Sequence, residues 1–430
     1  MDVPLTSMEA RVADAVDAEG LVDTARRLVR IPSWDGKETP AQELVASEAV
    51  RLGLEVDVWE LPLDELAAHP AHAAELERTE ALGVVGTLPG RGGGRDLILN
   101  GHVDVVPPGD GALWDRPPFS GEVAGGYLHG RGALDLKGPL TAGLYALAAV
   151  RAAGVELAGT AHLQSVVGEE DGGSGTLAAL ERGWRADGAV VMEPTELAVA
   201  PAQAGALNFR IRVPGLAAHG AVREEGVSAI DNFLPVHAAL RALEEERNRT
   251  LGDDPLFDRY RLPFPICVGT LRAGDWASSV PDHLTLEGRF GVAPGEDLDA
   301  ARRSLVEAVE GAAAADPFLA SHPPRVTWWG GQFEPARTSP DHPLVHALVG
   351  AATSVNGFPP SIEGMPYGAD MGLLVHYGGV PTVLYGPGDV RRAHRPDEWV
   401  AVEELATMAR TLAVAILRFC GADTGRGRRP

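Results

Sequence analysis

The sequence predicts an α/β fold: a mixed, mostly parallel sheet flanked by helices, with a smaller α+β unit inserted into it. Three observations lead there. Short apolar runs alternate with segments of helical periodicity over residues 1–203 and again over 324–430. Between them, over residues 204–323, the texture changes to alternating strands and two long amphipathic helices. Polar residues gather just past the ends of the apolar runs, where open parallel sheets place their ligand sites.

The elements follow in order. Residues 12–28 carry Ala, Val and Leu at three- and four-residue spacings and read as one helix; residues 40–52 repeat the pattern and stop at Gly53. Residues 54–61 alternate as a strand. Residues 69–79, rich in Ala and Glu, read as a short surface helix. Strands follow at 83–88 and 97–100, the second leading into His102 and Asp104. A long loop rich in Gly and Pro then reaches Asp135, ahead of a helix over 139–153. The strand at 160–167 runs out into Gly168-Glu169-Glu170, with a helix at 174–180, and the strand at 189–192 ends at Glu193.

The inserted unit reads as strands at 206–213, 266–271 and 283–292 with helices at 227–249 and 298–314, compatible with a βαββαβ arrangement. A strand at 326–329, a helix at 343–352, a strand at 380–385 and a helix at 399–419 then resume the first texture. Residues 421–430, polar and basic, read as a frayed end.

Composition narrows the function classes. The 430 residues are 45% hydrophobic, enough for two sizeable cores. Sixty acidic against 37 basic residues give a formal charge of −23, which argues against nucleic acid as partner. No apolar run approaches the roughly 18–20 residues that span a membrane, and the acidic N-terminal stretch lacks a signal pattern. A cytoplasmic protein is expected. Cys267 and Cys420 form no CxxC pair, so a Cys-based zinc site is excluded, and both read as unpaired buried thiols.

The chemistry rests on seven residues at strand ends: His102, Asp104, Asp135, Glu169, Glu170, Glu193 and His394. Singly, each has a plainer reading, as a strand-end polar group, a solvated face, a turn cap or a surface histidine. Together, two imidazoles and several carboxylates without a thiolate suit zinc, cobalt or manganese. Two divalent ions would let so many carboxylates gather in ionised form, with a hydroxide balancing the remaining charge. One carboxylate must stay unligated to take a proton from water. Glu169 and Glu170 are adjacent, so on an extended backbone one can face the metals and the other the water. Asp104 is placed to accept the second N–H of the His102 imidazole.

These segments, NGHVDVVP (100–107), GRGALDLKG (130–138), GEEDGGSGT (168–176), MEPT (192–195), GLAAHG (215–220), SSVPD (278–282) and YGPGDVRRAHRPDE (385–398), run through nearly the whole chain. In that order they resemble the M20 metallopeptidase family, in its acetylornithine deacetylase/succinyl-diaminopimelate desuccinylase branch. The resemblance implies a zinc-peptidase-like catalytic domain and roles for its residues. His102 and Glu193 would hold one metal, Glu170 and His394 the other, and Asp135 would bridge them. Glu169 would be the general base and Asp104 would orient His102.

The inserted unit would be the family's lid and dimer interface, giving a homodimer. His219 would stabilise the developing oxyanion, usually in the partner's site, although alone it reads as a loop histidine. Arg289 falls where relatives often bind a substrate carboxylate; a strand-edge arginine in water is an equal reading. Trp276, beside Ser278 and Ser279, is a candidate wall of the cleft.

The segments around Ser278-Ser279 and Tyr367-Gly368-Ala369-Asp370 depart from the common family pattern, and both tend to touch substrate. The expected function is removal of an N-acyl group from a small amino-acid-like or amine substrate, using two divalent ions, zinc first and cobalt or manganese as alternatives. The rival readings are a dipeptidase or carboxypeptidase and a metal-binding module without catalysis.

Overall fold

The computed structural model describes residues 4–251 and 253–422, and the structural statements below are of these. The chain divides into two compact units. One comprises the described residues of Met1–Ala202, Arg337–Glu363 and Ala369–Pro430; the other, Gln203–Ala336 and Gly364–Gly368.

The larger unit is built on a nine-stranded sheet. Its order is Glu55–Glu60, Leu82–Leu88, Ala161–Val166, Leu97–His102, Gly188–Val191, Thr382–Leu384, Val199–Gln203 and Ala336–Arg337, with Ile362–Met365 also pairing with Val199–Gln203. The four central strands, from Ala161–Val166 to Thr382–Leu384, are mutually parallel, whereas the strands flanking them, Leu82–Leu88 and Val199–Gln203, run antiparallel to them. Ala161–Val166 and Leu97–His102 are buried along their whole length, as strands covered on both faces must be. Helix Lys137–Ala152 is buried nearly all round because it is apolar nearly all round. It packs on the terminal helix Val402–Cys420 and on strand Leu97–His102.

Two local expectations change. The single helix expected over 12–28 is two, Ser7–Asp14 and Ala18–Val29. Asp17 leaves helical geometry and its side chain accepts the Gly20 N–H at 2.9 Å, starting the second helix. No helix forms over 69–79; the nearby helix is Leu63–Ala67. Instead the Glu75 and Leu76 N–H groups donate to the Asp171 carbonyl and carboxylate at 3.1 and 3.0 Å. Long-range bonds outweigh local propensity there.

The smaller unit holds a four-stranded antiparallel sheet in the order Ile266–Ala273, His283–Val292, Gly205–Pro214, Arg325–Phe333. Helices Ala229–Leu251 and Leu298–Ala314 lie between strands in sequence, completing a βαββαβ order. Alternation along Gly205–Pro214 turns Leu207, Phe209, Ile211 and Val213 into a core shared with Leu240, Leu305 and Val309. The strand expected at 326–329 forms, but as part of Arg325–Phe333 in this sheet rather than in the larger unit. Val326 pairs with Ile211, and the Trp328 ring packs edge-on against Phe209 and Phe290. The unit therefore runs to Ala336 instead of ending near Pro323.

Both cysteines are free thiols. Cys420 is buried as expected, but Cys267 is exposed, since it points outward from edge strand Ile266–Ala273. No helix among the described residues is long and apolar enough to cross a membrane. The basic tail, from residue 423 on, lies outside the described residues.

Candidate metal centre

The site is assembled at the carboxyl ends of the four parallel strands, the position such sheets reserve for ligands. His102 ends Leu97–His102. Glu169 and Glu170 follow Ala161–Val166, Glu193 follows Gly188–Val191, and the chain after Thr382–Leu384 leads to His394. Asp135 stands just ahead of helix Lys137–Ala152.

Each turn is held by the chain around it. Thr195 binds the Glu193 turn to the segment after Thr382–Leu384: its N–H donates to the Gly386 carbonyl, and its Oγ1 accepts the Gly386 N–H at 3.1 Å. Only glycine fits at 386, where a Cβ would stand 2.4 Å from the Glu193 carbonyl oxygen. The loop bearing Glu169 and Glu170 closes tightly, the Gly173 N–H donating to the Gly168 carbonyl, with both glycines at positive φ. The buried Arg78 guanidinium grips its far side, pairing with Asp171 and with Glu38.

The sequence-derived set converges. His102 Nε2 lies 3.2 Å from Asp135 Oδ1, 3.7 Å from Glu193 Oε1 and 3.8 Å from Glu169 Oε2. His394 Nε2 lies 3.0 Å from Glu170 Oε2 and 3.4 Å from Asp135 Oδ2. Asp135 thus stands between the two imidazoles, one oxygen toward each. Two triads have the spacing of metal ligands: His102 with Asp135 and Glu170, and His102 with Glu169 and Glu193. His102, Asp135, Glu169 and Glu193 are buried; Glu170 is partly buried and His394 exposed.

Asp104 acts differently from the expected carboxylate–imidazole bond. The His102 Nδ1 partner at 2.9 Å is the Asp104 backbone carbonyl, with the carboxylate at 3.6 Å. The carboxylate accepts the Glu170 N–H at 3.0 Å, so Asp104 ties together the backbones that carry His102 and Glu170.

Electrostatics show what the cluster suits. Burial and the charge of Glu193 push the Glu169 carboxyl well above the usual range, with His102 opposing. Burial and the charge of Asp135 do the same to Glu193. Burial works against ionisation of Asp135 too, yet hydrogen bonds from His102 and His394 hold it below the usual range. The nearby charge of Glu170 drives the His394 imidazole well above its ordinary value. Glu193 Oε1 is buried without a hydrogen-bond partner. Carboxylates this close, one with an orphaned oxygen, fit cations held between them, and an N/O donor set without sulfur fits zinc, cobalt or manganese.

His219 and Arg289 belong to the smaller unit. His219 is exposed, and its Nδ1 accepts the Ala221 N–H at 3.1 Å, which leaves the proton of a neutral ring on Nε2. Its loop pairs with the other sequence-flagged one: His219 bridges to Ser279, and the Gly220 N–H donates to the Ser278 carbonyl. Trp276 is 75% exposed and therefore no packing residue. Arg289 is half-buried and donates to the Pro366 carbonyl at 2.9 Å. Burial pulls its pKa down. Two charged residues that the sequence did not single out support the larger unit's site, Arg131 and Glu398. Both stand inside the motifs quoted above, but nothing in spacing marks them as a pair.

The chain matches the model of peptidase family M20/M25/M40 over residues 98–418. It is 28% identical to an N-formyl-4-amino-5-aminomethyl-2-methylpyrimidine deformylase of Bacillus subtilis, over 98% of this chain and 99% of that one. It is 30% identical to a succinyl-diaminopimelate desuccinylase of Gluconacetobacter diazotrophicus, over 92% of this chain and 96% of that one. Its fold is similar to that of a dinuclear metal binding peptidase of Bacillus subtilis, with a TM-score of 0.60 at 15% identity over 94% of this chain and 98% of that one.

Proposed function

Because the chain belongs to peptidase family M20/M25/M40, and so is a hydrolase of amide bonds, we propose that it removes a short acyl group from a small amine or amino-acid-like substrate. The observation that carries this reading is Asp135 standing between His102 and His394, with Glu170 and Glu193 beside them.

His102 and Glu193 would hold one divalent ion and Glu170 and His394 the other, with Asp135 shared; zinc is the first choice, cobalt or manganese the alternatives. The pair would lower the pKa of water toward about 7 and polarise the scissile carbonyl. Glu169, kept off the ligand set, takes one proton from the attacking water as its oxygen bonds to the carbonyl carbon. When the C–N bond breaks, Glu169 delivers that proton to the leaving nitrogen, giving carboxylic acid and amine; the acid's remaining proton then passes to the amine, leaving carboxylate and ammonium. Burial, which favours the protonated carboxyl, suits a group that must hold a proton between two steps.

His219 donates a hydrogen bond from its Nε2–H to the oxyanion that develops on the carbonyl oxygen. It does so in a homodimer formed through the smaller unit, each copy completing the other's site. Arg289 serves a substrate carboxylate where the substrate has one. Two free thiols support a reducing, cytoplasmic setting. A dipeptidase is the second reading, because the chemistry is shared and the departures at Ser278-Ser279 and Tyr367–Asp370 fall in segments that tend to touch substrate. Hydrolysis of a panel of N-formyl, N-acetyl and N-succinyl amines beside dipeptides decides: turnover of the acyl amines is expected, and turnover of dipeptides alone would overturn the deacylase reading.

A further inference from the structure

We propose that Glu398 is a positioning residue that sets Asp135 and His394 in register, so that two ligands far apart in sequence form one site. This rests on the metal-centre reading. The Glu398 side chain is fully buried. Its Oε1 accepts the Leu134 N–H at 2.9 Å and the Asp135 N–H at 3.2 Å, and so fixes the backbone from which Asp135 projects. Its Oε2 takes the Arg131 Nη1 at 2.6 Å, and its own carbonyl accepts the Gly130 N–H at 2.9 Å.

Arg131 is equally buried and closes the loop. The same Nη1 reaches the Arg395 carbonyl at 3.3 Å, one residue beyond His394, and its N–H donates to the Pro118 carbonyl. The His394 segment needs such holding. His394 and Asp397 both sit at positive φ, 60° and 55°, a conformation uncommon for residues that carry a side chain. The Asp397 carboxylate accepts the Asp115 N–H at 2.8 Å, a second tether.

A buried ion pair is weak support for stability in itself, since an apolar pair of the same shape often serves as well. What an apolar pair could not do is accept two adjacent backbone N–H groups while anchoring a guanidinium that reaches the histidine loop. Groups that orient metal ligands in this way typically account for 10–100-fold in metal affinity.

The test is Glu398→Gln, which keeps the shape but loses the charge opposite Arg131. Metal-free protein is titrated with Zn²⁺ by calorimetry and with Co²⁺ by visible absorption, and its melting temperature is recorded. Roughly 10–100-fold weaker binding and an altered Co²⁺ spectrum are expected of the folded variant, with the metal-free melting temperature lowered because Arg131 is left buried without its counter-charge. Should that variant not fold, Arg131→Lys, which keeps the charge but loses the fork, is expected to move affinity and spectrum the same way. Wild-type affinity and spectrum in the folded variant would overturn this inference alone. Affinity lost only in proportion to the folded fraction would overturn it too, as a purely structural role. A wild-type protein that takes up no ion would overturn both this inference and the metal-centre reading.

Discussion

The ends of the four parallel strands and the loops of the smaller unit offer reactive groups in opposite ways. At the strand ends, charged groups are buried and held from behind. Asp104, Arg78, Thr195 and Glu398 each fix a backbone segment that carries a candidate ligand. In the smaller unit, the His219 and Trp276 side chains are exposed, although their two loops pair with each other through the backbone. Buried charge must be compensated, so the first region suits cations. Exposed groups lose little in exchanging water for substrate, so the second suits contacts made only when substrate or another copy arrives.

Removing metal should produce the largest effect. A chelator is expected to abolish amide hydrolysis and added Zn²⁺ or Co²⁺ to restore it; activity that survives exhaustive chelation would break the contrast at its root. Next comes Glu169→Gln. Turnover is expected to fall roughly 10²–10⁴-fold while elemental analysis shows metal content retained. A fall in metal content instead would make Glu169 a ligand, as its place in one of the two triads also allows.

His219→Ala is expected to lower kcat by about 10²–10³ with metal content unchanged, because it removes one donor to the oxyanion. A rise in KM alone would assign His219 to binding. Sedimentation should accompany it, since a purely monomeric chain would remove the proposed route by which His219 completes a site in another copy. The smallest effect belongs to Trp276→Ala. Its melting temperature should hardly move, because so exposed a side chain contributes little to folding. KM should rise about 3–10-fold if the indole lines the cleft, the equivalent of roughly 1 kcal/mol of aromatic contact.

Asp135 and His394 entered the candidate set only through the motifs taken together, whereas the other candidates follow apolar runs at strands' carboxyl ends, a place that periodicity alone can find. His102, Glu193 and the Glu169-Glu170 pair were found that way. The βαββαβ order of the smaller unit was legible from alternation. What stayed hidden depends on contacts between distant segments. Residues 69–79 have helical composition, but Asp171 captures their backbone. The strand at Arg325–Phe333 has the same local pattern in either unit, and the rings of Phe209 and Phe290 decide where it goes. Asp104 was rightly placed beside His102, yet which of its oxygens faces the imidazole is a matter of backbone geometry. Glu398 and Arg131 lie in quoted motifs, but only folding brings one carboxylate to two N–H groups 263 and 264 residues away.

The most direct test is to titrate metal-free protein with Zn²⁺ while following release of amine from an N-acyl substrate, with Glu169→Gln run in parallel. Activity in the wild-type chain should rise from zero and level off near about two ions per chain, while the variant binds the same amount and stays nearly inactive. Hydrolysis at full rate without added metal, or a variant as active as the wild type, would contradict a two-metal amidohydrolase with Glu169 as its base.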